Sequence, residues 1–402
     1  MAYLNAQMAG KCIVLLCLVA LGKGIDIDSL KLEQVLILSR HNVRTPLTQK
    51  LESYASKSWP KWNASAGYLT EKGARLEGYM GKYIAEWLDS EDFIEGCPKE
   101  GEVLIYANTK PRTMGTARAF AESAFQSCNV TVKHYEHLEI FDPMFLPILH
   151  NTTEAFKNKV REEMENKLKE MNLTQAYLEL SRILNLRTSD ICKKLYLCEL
   201  HLRRNEILLE DGEEPNISGP LDIGNSVVDS FIMSYYEGKP KSEVAWGQIE
   251  TDQQWELIAN ISKENQNVRF NLTTGAKDIA RPLLKFMFGI FKEGTPKFTL
   301  LVAHDSNLNS VIRGLSFKSF VLPNQFEPFP IGGKIVFQKW SDVSGQYLKV
   351  EYVYPTTKQL RNGEKLSLLQ PPQKVLLELN GCEISPSGYC PWNEFMKLNE
   401  YS

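Results

Sequence analysis

Three short apolar runs stand out along the chain, and each ends abruptly in polar residues: Val35-Leu36-Ile37-Leu38, Val103-Leu104-Ile105-Tyr106-Ala107 and Leu300-Leu301-Val302-Ala303. Unbroken runs of this length predict strands covered on both faces, as in a parallel sheet. Between the first two, residues 71–88 turn amphipathic, so residues 32–147 read as a βαβ-like alternation. From 155 to 186 Lys, Glu and Leu recur at helical spacing without a strand-like run, and helical character continues over 225–236 and 253–261. Strand character returns at 298–303, then as a hairpin over 334–340 and 347–354. Residues 206–220 are polar, with Asp, Gly and Pro, and predict a mobile loop. The expected fold is α/β, with no internal repeat. Residues 25–152 and 272–402 are expected to form one discontinuous α/β domain, interrupted by a mainly α-helical cap at 153–271.

The N-terminus predicts a secreted protein. A polar leader through Lys11 is followed by ten apolar residues at 12–21 and then Gly22-Lys23-Gly24. That run is too short to cross a bilayer, which takes about 20 residues. Residues 1–24 are therefore expected to be a signal peptide, the alternative being a buried N-terminal helix. Six of the eight cysteines lie beyond it, at 97, 128, 192, 198, 382 and 390. An even number in a secreted chain suggests disulfides; the short spacings favour neighbours, although spacing alone does not choose a connectivity. Zinc is the weaker alternative, because no Cys-x-x-Cys or nearby His pair supports it. Seven Asn-x-Ser/Thr sequons, at Asn63, Asn129, Asn151, Asn172, Asn216, Asn260 and Asn271, avoid the three strand ends. A net charge of −3 with 24% charged residues gives no basic face, which argues against a nucleic-acid partner.

The chemistry sits where the apolar runs stop. After the first comes Arg40-His41-Asn42-Val43-Arg44-Thr45-Pro46, a histidine flanked by guanidinium groups. The cations disfavour its protonated form, and guanidinium forks are the preferred partners of phosphate oxygens. Histidine can attack phosphorus and carry the phosphoryl group. The second run leads into Asn108-Thr109-Lys110-Pro111-Arg112, and the third into His304-Asp305-Ser306-Asn307. Sites in open α/β sheets form beyond the carboxyl ends of strands, so all three segments can converge on one phosphate.

These segments resemble the histidine acid phosphatases, a branch of the histidine phosphatase superfamily with Arg-His-Gly-x-Arg-x-Pro early and His-Asp late. Asn42 departs from the usual Gly, a departure shared with the family's glucose-1-phosphatase group. Pro60-Lys61-Trp62, Gly224-Asn225-Ser226-Val227-Val228-Asp229, Tyr235-Tyr236-Glu237-Gly238, Val244-Ala245-Trp246-Gly247 and Ile331-Gly332-Gly333-Lys334-Ile335-Val336-Phe337 also look like that group.

The resemblance implies a phosphoglycerate-mutase-like, mainly parallel sheet flanked by helices with a helical cap. It implies His41 as nucleophile, Arg40, Arg44, Arg112 and His304 as phosphate ligands, Asp305 as proton donor and Glu237 as a substrate-contacting gate. No cofactor or metal is implied, since three arginines supply the charge. The activity expected is hydrolysis of sugar phosphates such as glucose 1-phosphate, best in acid. The alternatives are inositol hexakisphosphate hydrolysis and a non-catalytic secreted protein that binds phosphorylated ligands. The partner expected is a small phosphate monoester, without a stable membrane anchor; a homodimer is left open.

Overall fold

The computed structural model describes residues 29–47 and 50–398, so the expected signal segment, with Cys12 and Cys17, lies outside the described residues. An eight-stranded mixed sheet forms the centre. Its strands are β1 (Lys31–Arg40), β2 (Val103–Ala107), β3 (Val132–His134), β6 (Phe298–Ala303), β7 (Lys334–Ser341), β8 (Gln346–Tyr354), β9 (Gln373–Leu376) and β10 (Cys390–Pro391). They run in the order β10-β8-β7-β1-β6-β2-β3, with β9 also pairing β8. The neighbours β3, β2, β6 and β1 are parallel, and β7 joins β1 antiparallel.

Alternation explains why the strands are apolar throughout. In β1, Val35 and Ile37 pack against helices α2 (Glu71–Ser90) and α3 (Pro111–Ala124) through Met80, Tyr83, Ile84 and Phe120. Leu36 and Leu38 face the other side, against α9 (Thr273–Glu293) and α10 (Asp305–Gly314) through Leu284, Met287 and Val311. Both faces are buried, so a period of two in side-chain direction needs no polar residue.

Helices α4 (Glu154–Glu170), α5 (Thr174–Leu184), α6 (Asp190–Leu195), α7 (Pro220–Glu237) and α8 (Asp252–Phe270) make a third packed region. The short helices α1 (Leu51–Tyr54), α11 (Thr357–Asn362) and α12 (Trp392–Lys397) complete the described helices. The break between α4 and α5 falls at residues 171–173, inside the single helical stretch read from the sequence. The expected loop at 206–220 instead contains a small hairpin, β4 (Glu206–Leu208) and β5 (Asn216–Ser218), in which Ile207 faces Ile217. Its Asp211-Gly212 turn explains the polar composition, with Gly212 at φ +80°.

Disulfides join Cys97 to Cys128, Cys192 to Cys198 and Cys382 to Cys390. No helix among the described residues is long and apolar enough to cross a membrane.

Candidate active site

Strand register brings the three polar segments together. Arg40 on β1 pairs with Ala303 on β6, and Ala107 on β2 pairs with Val302. All three strands therefore stop within one residue of each other, and His41 and His304 leave adjacent strands side by side, their ring centroids 5.6 Å apart. They line a cavity of about 350 Å³ together with Arg40, Arg44, Arg112 and Asp305.

Two of the three arginines are already paired. Arg40 Nη1 donates to Glu327 Oε1 (2.6 Å) and to the Phe329 carbonyl, and Nη2 lies 3.2 Å from Asp305 Oδ2. Burial alone would weaken its charge, but Glu327 and Asp305 outweigh that and hold the guanidinium above its ordinary range. Arg44 makes a two-pronged contact with Asp229 on α7, at 3.0 and 2.9 Å. Arg112, in the first turn of α3, has no carboxylate partner among the described residues. Burial, followed by repulsion from Arg44, pulls it down to about 9, against the opposing pull of Asp305 and Asp229. A buried cation without a counter-ion is costly. A phosphate dianion would supply the missing charge.

Each histidine has a defined tautomer. His41 Nδ1 lies 2.9 Å from the Asn42 carbonyl, which can only accept, so the ring proton is on Nδ1 and Nε2 keeps its lone pair. Burial, then Arg112, Arg40 and Arg44, hold His41 well below the usual imidazole range. At His304 the assignment is reversed. Asn108 Oδ1 accepts from the Thr109 and Asp142 N–H groups (2.7 and 3.3 Å), so its amide N–H turns to His304 Nε2 at 2.8 Å. His304 must then carry its proton on Nδ1, which stands 3.3 Å from Arg112 Nη2. Two donors meet there, a geometry that an anion between them satisfies. Burial and the same three arginines also keep His304 neutral, well below the usual range.

Asp305 opens α10, and its Oδ1 accepts from the Ser306 N–H at 3.0 Å. Burial pushes its carboxyl up, but Arg40, Arg44 and that N–H outweigh burial, and the net shift is downward.

The structure thus gathers six of the seven residues singled out from the sequence. Glu237 lies elsewhere. It lines a separate polar crevice with Lys72, Arg75, Tyr79 and Arg361. The reason is helical geometry: α7 turns Asn225, Ser226 and Asp229 toward the cavity, and Glu237 lies about 12 Å further along the axis. Tyr235 and Tyr236 pack against Phe326. Carboxylates do face the cavity, but they are Glu213 and Glu214 from the β4–β5 turn, with Asp229 and Glu327. Sequence reasoning gave no role to Asn108, Asp229 or Glu327. Asn108 had one usable signal, its place directly after an apolar strand.

The family model of the histidine phosphatase superfamily (branch 2) matches residues 31–207. The glucose-1-phosphatase of Providencia rettgeri is 42% identical, with 91% of each chain covered. That of Salmonella typhimurium is 39% identical, with 92% of each covered. Among solved structures, a Hafnia alvei phytase in complex with myo-inositol hexakis sulphate superposes with a TM-score of 0.85 at 27% identity, covering 93% of this chain and 97% of its own.

Proposed function

The chain belongs to the histidine phosphatase superfamily (branch 2) and is a phosphoric monoester hydrolase, and from that premise we propose that it hydrolyses sugar phosphates such as glucose 1-phosphate. The observation that carries this reading is a lone pair on His41 Nε2 beside three guanidiniums, one of which lacks a counter-ion.

In the proposed reaction His41 Nε2 attacks phosphorus, and the bond from phosphorus to the sugar oxygen breaks. Arg40, Arg44, Arg112 and the His304 Nδ1–H hold the three equatorial oxygens, where charge accumulates. Asp305 gives its proton to the departing oxygen, since an alkoxide is a poor leaving group. Water then attacks the phosphohistidine and yields its proton to Asp305, and inorganic phosphate leaves. The arginines provide the positive charge the transfer needs, so the scheme asks for no metal or cofactor.

The substrate assignment rests on the walls of the cavity. Asn225, Ser226, Ser262 and Gln266 line it with neutral hydrogen-bonding groups. Ser262 Oγ and Gln266 Oε1 are buried without a partner among the described residues and suit the hydroxyls of a sugar. Glu214 is paired with Arg269 and Asp229 with Arg44, so Glu213 is the wall carboxylate left to repel a ligand carrying several phosphates. We assign this selection to the helical segment 153–271, acting as a cap, and place the enzyme outside the cytoplasm, where its three disulfides persist.

The test is phosphate release from glucose 1-phosphate and from inositol hexakisphosphate in acid buffer, beside a His41→Ala control. Turnover of the sugar ester that vanishes in the control is expected. Preference for the inositol ester would move the substrate assignment to the phytases, and no turnover of either would overturn the reading.

A further inference from the structure

Beneath the nucleophile lies an ion pair that the reaction does not touch. Lys334 on β7 and Glu77 on α2 meet at 2.7 Å with both side chains 0% exposed. Lys334 Nζ also donates to Ser39 Oγ at 2.7 Å. The second Glu77 oxygen, Oε2, accepts from Asn42 Nδ2 at 2.9 Å. Desolvating two charges is costly, and well-packed apolar residues often serve stability as well. A buried pair in this place calls for another reason.

The hydrogen bonds around Asn42 supply one. Asn42 Oδ1 accepts from the Val43 N–H at 2.9 Å. That N–H belongs to the same peptide unit whose carbonyl holds His41 Nδ1 at 2.9 Å. Because a peptide unit is planar, fixing its N–H fixes the direction of its carbonyl. The preceding peptide is held at both ends: Gly332 N–H donates to the His41 carbonyl (3.1 Å), and Asn42 N–H donates to Thr116 Oγ1 (3.0 Å). Gly332 sits at φ +66°, and a Cβ there would lie 2.6 Å from Asn42 Nδ2. Only glycine leaves room for the amide. With Gly at 42 the clamp on the Val43 N–H would be absent.

We propose that Asn42, Glu77 and Lys334 are one positioning unit for the nucleophile: the ion pair orients the Asn42 amide, the amide fixes the 42–43 peptide plane, and that carbonyl holds His41 with Nε2 free. The inference rests on His41 being the nucleophile.

Three variants and two readouts test it. Asn42→Gly removes the clamp together with the whole buried side chain. Glu77→Met with Lys334→Met removes both charges together and takes from the Asn42 amide its acceptor. Each is expected to lower kcat on the order of 10- to 100-fold with KM nearly unchanged, because misdirected nucleophiles lose rate rather than binding. Combining them should add little, as expected of residues acting as a unit. Glu77→Gln with Lys334→Met keeps an acceptor for the Asn42 amide and should restore most of kcat.

The second readout needs no substrate. In the parent, ¹⁵N shifts of His41 should show a single Nδ1–H tautomer, and in Asn42→Gly a mixture. A folded Asn42→Gly protein with parental kcat and an unmixed tautomer would overturn the proposal, as would losses that simply multiply. Activity surviving in His41→Ala would instead count against the nucleophile assignment, and the tautomer measurement would stand apart from it.

Discussion

His41 and His304 occupy matching places at the ends of neighbouring parallel strands, yet their surroundings give them opposite chemistry. His41 donates from Nδ1 to a backbone carbonyl, which leaves Nε2 as an electron pair. His304 accepts at Nε2 from Asn108, which leaves Nδ1–H as a donor. Burial and the arginines keep both rings neutral, so neither difference is one of charge. In the proposed reaction one ring attacks phosphorus and the other holds an oxygen. A single hydrogen-bond partner behind each ring decides between the two.

That contrast can be broken at several points. The largest effect is expected from His41→Ala, which removes the bond-forming atom; activity should drop by roughly 10⁴-fold or more. His304→Ala removes one oxyanion donor and should cost roughly 10²- to 10³-fold. Equal losses in the two variants would erase the distinction between them. Asp305→Asn should cost roughly 10²- to 10⁴-fold for a sugar ester and far less for an aryl phosphate, whose phenolate leaves without help. The same variant should flatten the pH profile. Asp305 is held low, so its acid form grows as pH falls, while His41, held below the usual imidazole range, stays unprotonated. Parent kcat/KM should therefore rise from neutral into acid; a rate rising steadily toward alkaline pH would contradict the assignment of Asp305 as donor. Asn108→Leu should free His304 to swap tautomers and cost about tenfold in kcat, a loss small enough to need careful protein quantification.

The smallest effect is on stability. Both histidines have folded pKa values below their unfolded value of about 6.5. The unfolded chain thus binds protons that the folded one refuses, and stability is lost as pH falls below about 6.5. Each ring contributes up to about 1.4 kcal/mol per pH unit until its folded pKa is reached. Thermal unfolding followed from neutral to acid should show the decline, reduced in His41→Ala. Inorganic phosphate should offset part of it by binding the folded state alone.

What the sequence made legible was local and periodic. The three buried strands were visible because both faces are covered, and each delivered its polar residues to a shared edge. Helix α9 was not visible: Pro282 stands inside it, and proline ordinarily ends a helical pattern. The partners of the arginines were hidden for a different reason. Asp229 and Glu327 reach the site from elements 185 and 287 residues away from their guanidiniums, and nothing in local spacing announces such a pairing. Glu237 was singled out because its run resembles the glucose-1-phosphatases, but how far along α7 the cavity extends is not written in that run. Asn42 could be noticed as a departure from glycine, but its purpose needed Glu77, Lys334 and Gly332 in view together.

The Arg44–Asp229 pair has a kinetic side. The Arg44 fork is not bare; it is held by a carboxylate from α7. In the proposed reaction an arriving phosphoryl oxygen would exchange with that carboxylate, so its net gain would be only the difference between two anions on one cation. Transition-state charge exceeds what the carboxylate can match, whereas inorganic phosphate, the last species to leave, meets a competitor already tethered within reach. In the proposed reaction Asp229 would thus work like the counter-ion on an exchange resin, letting go for the reacting group and coming back to displace the spent one.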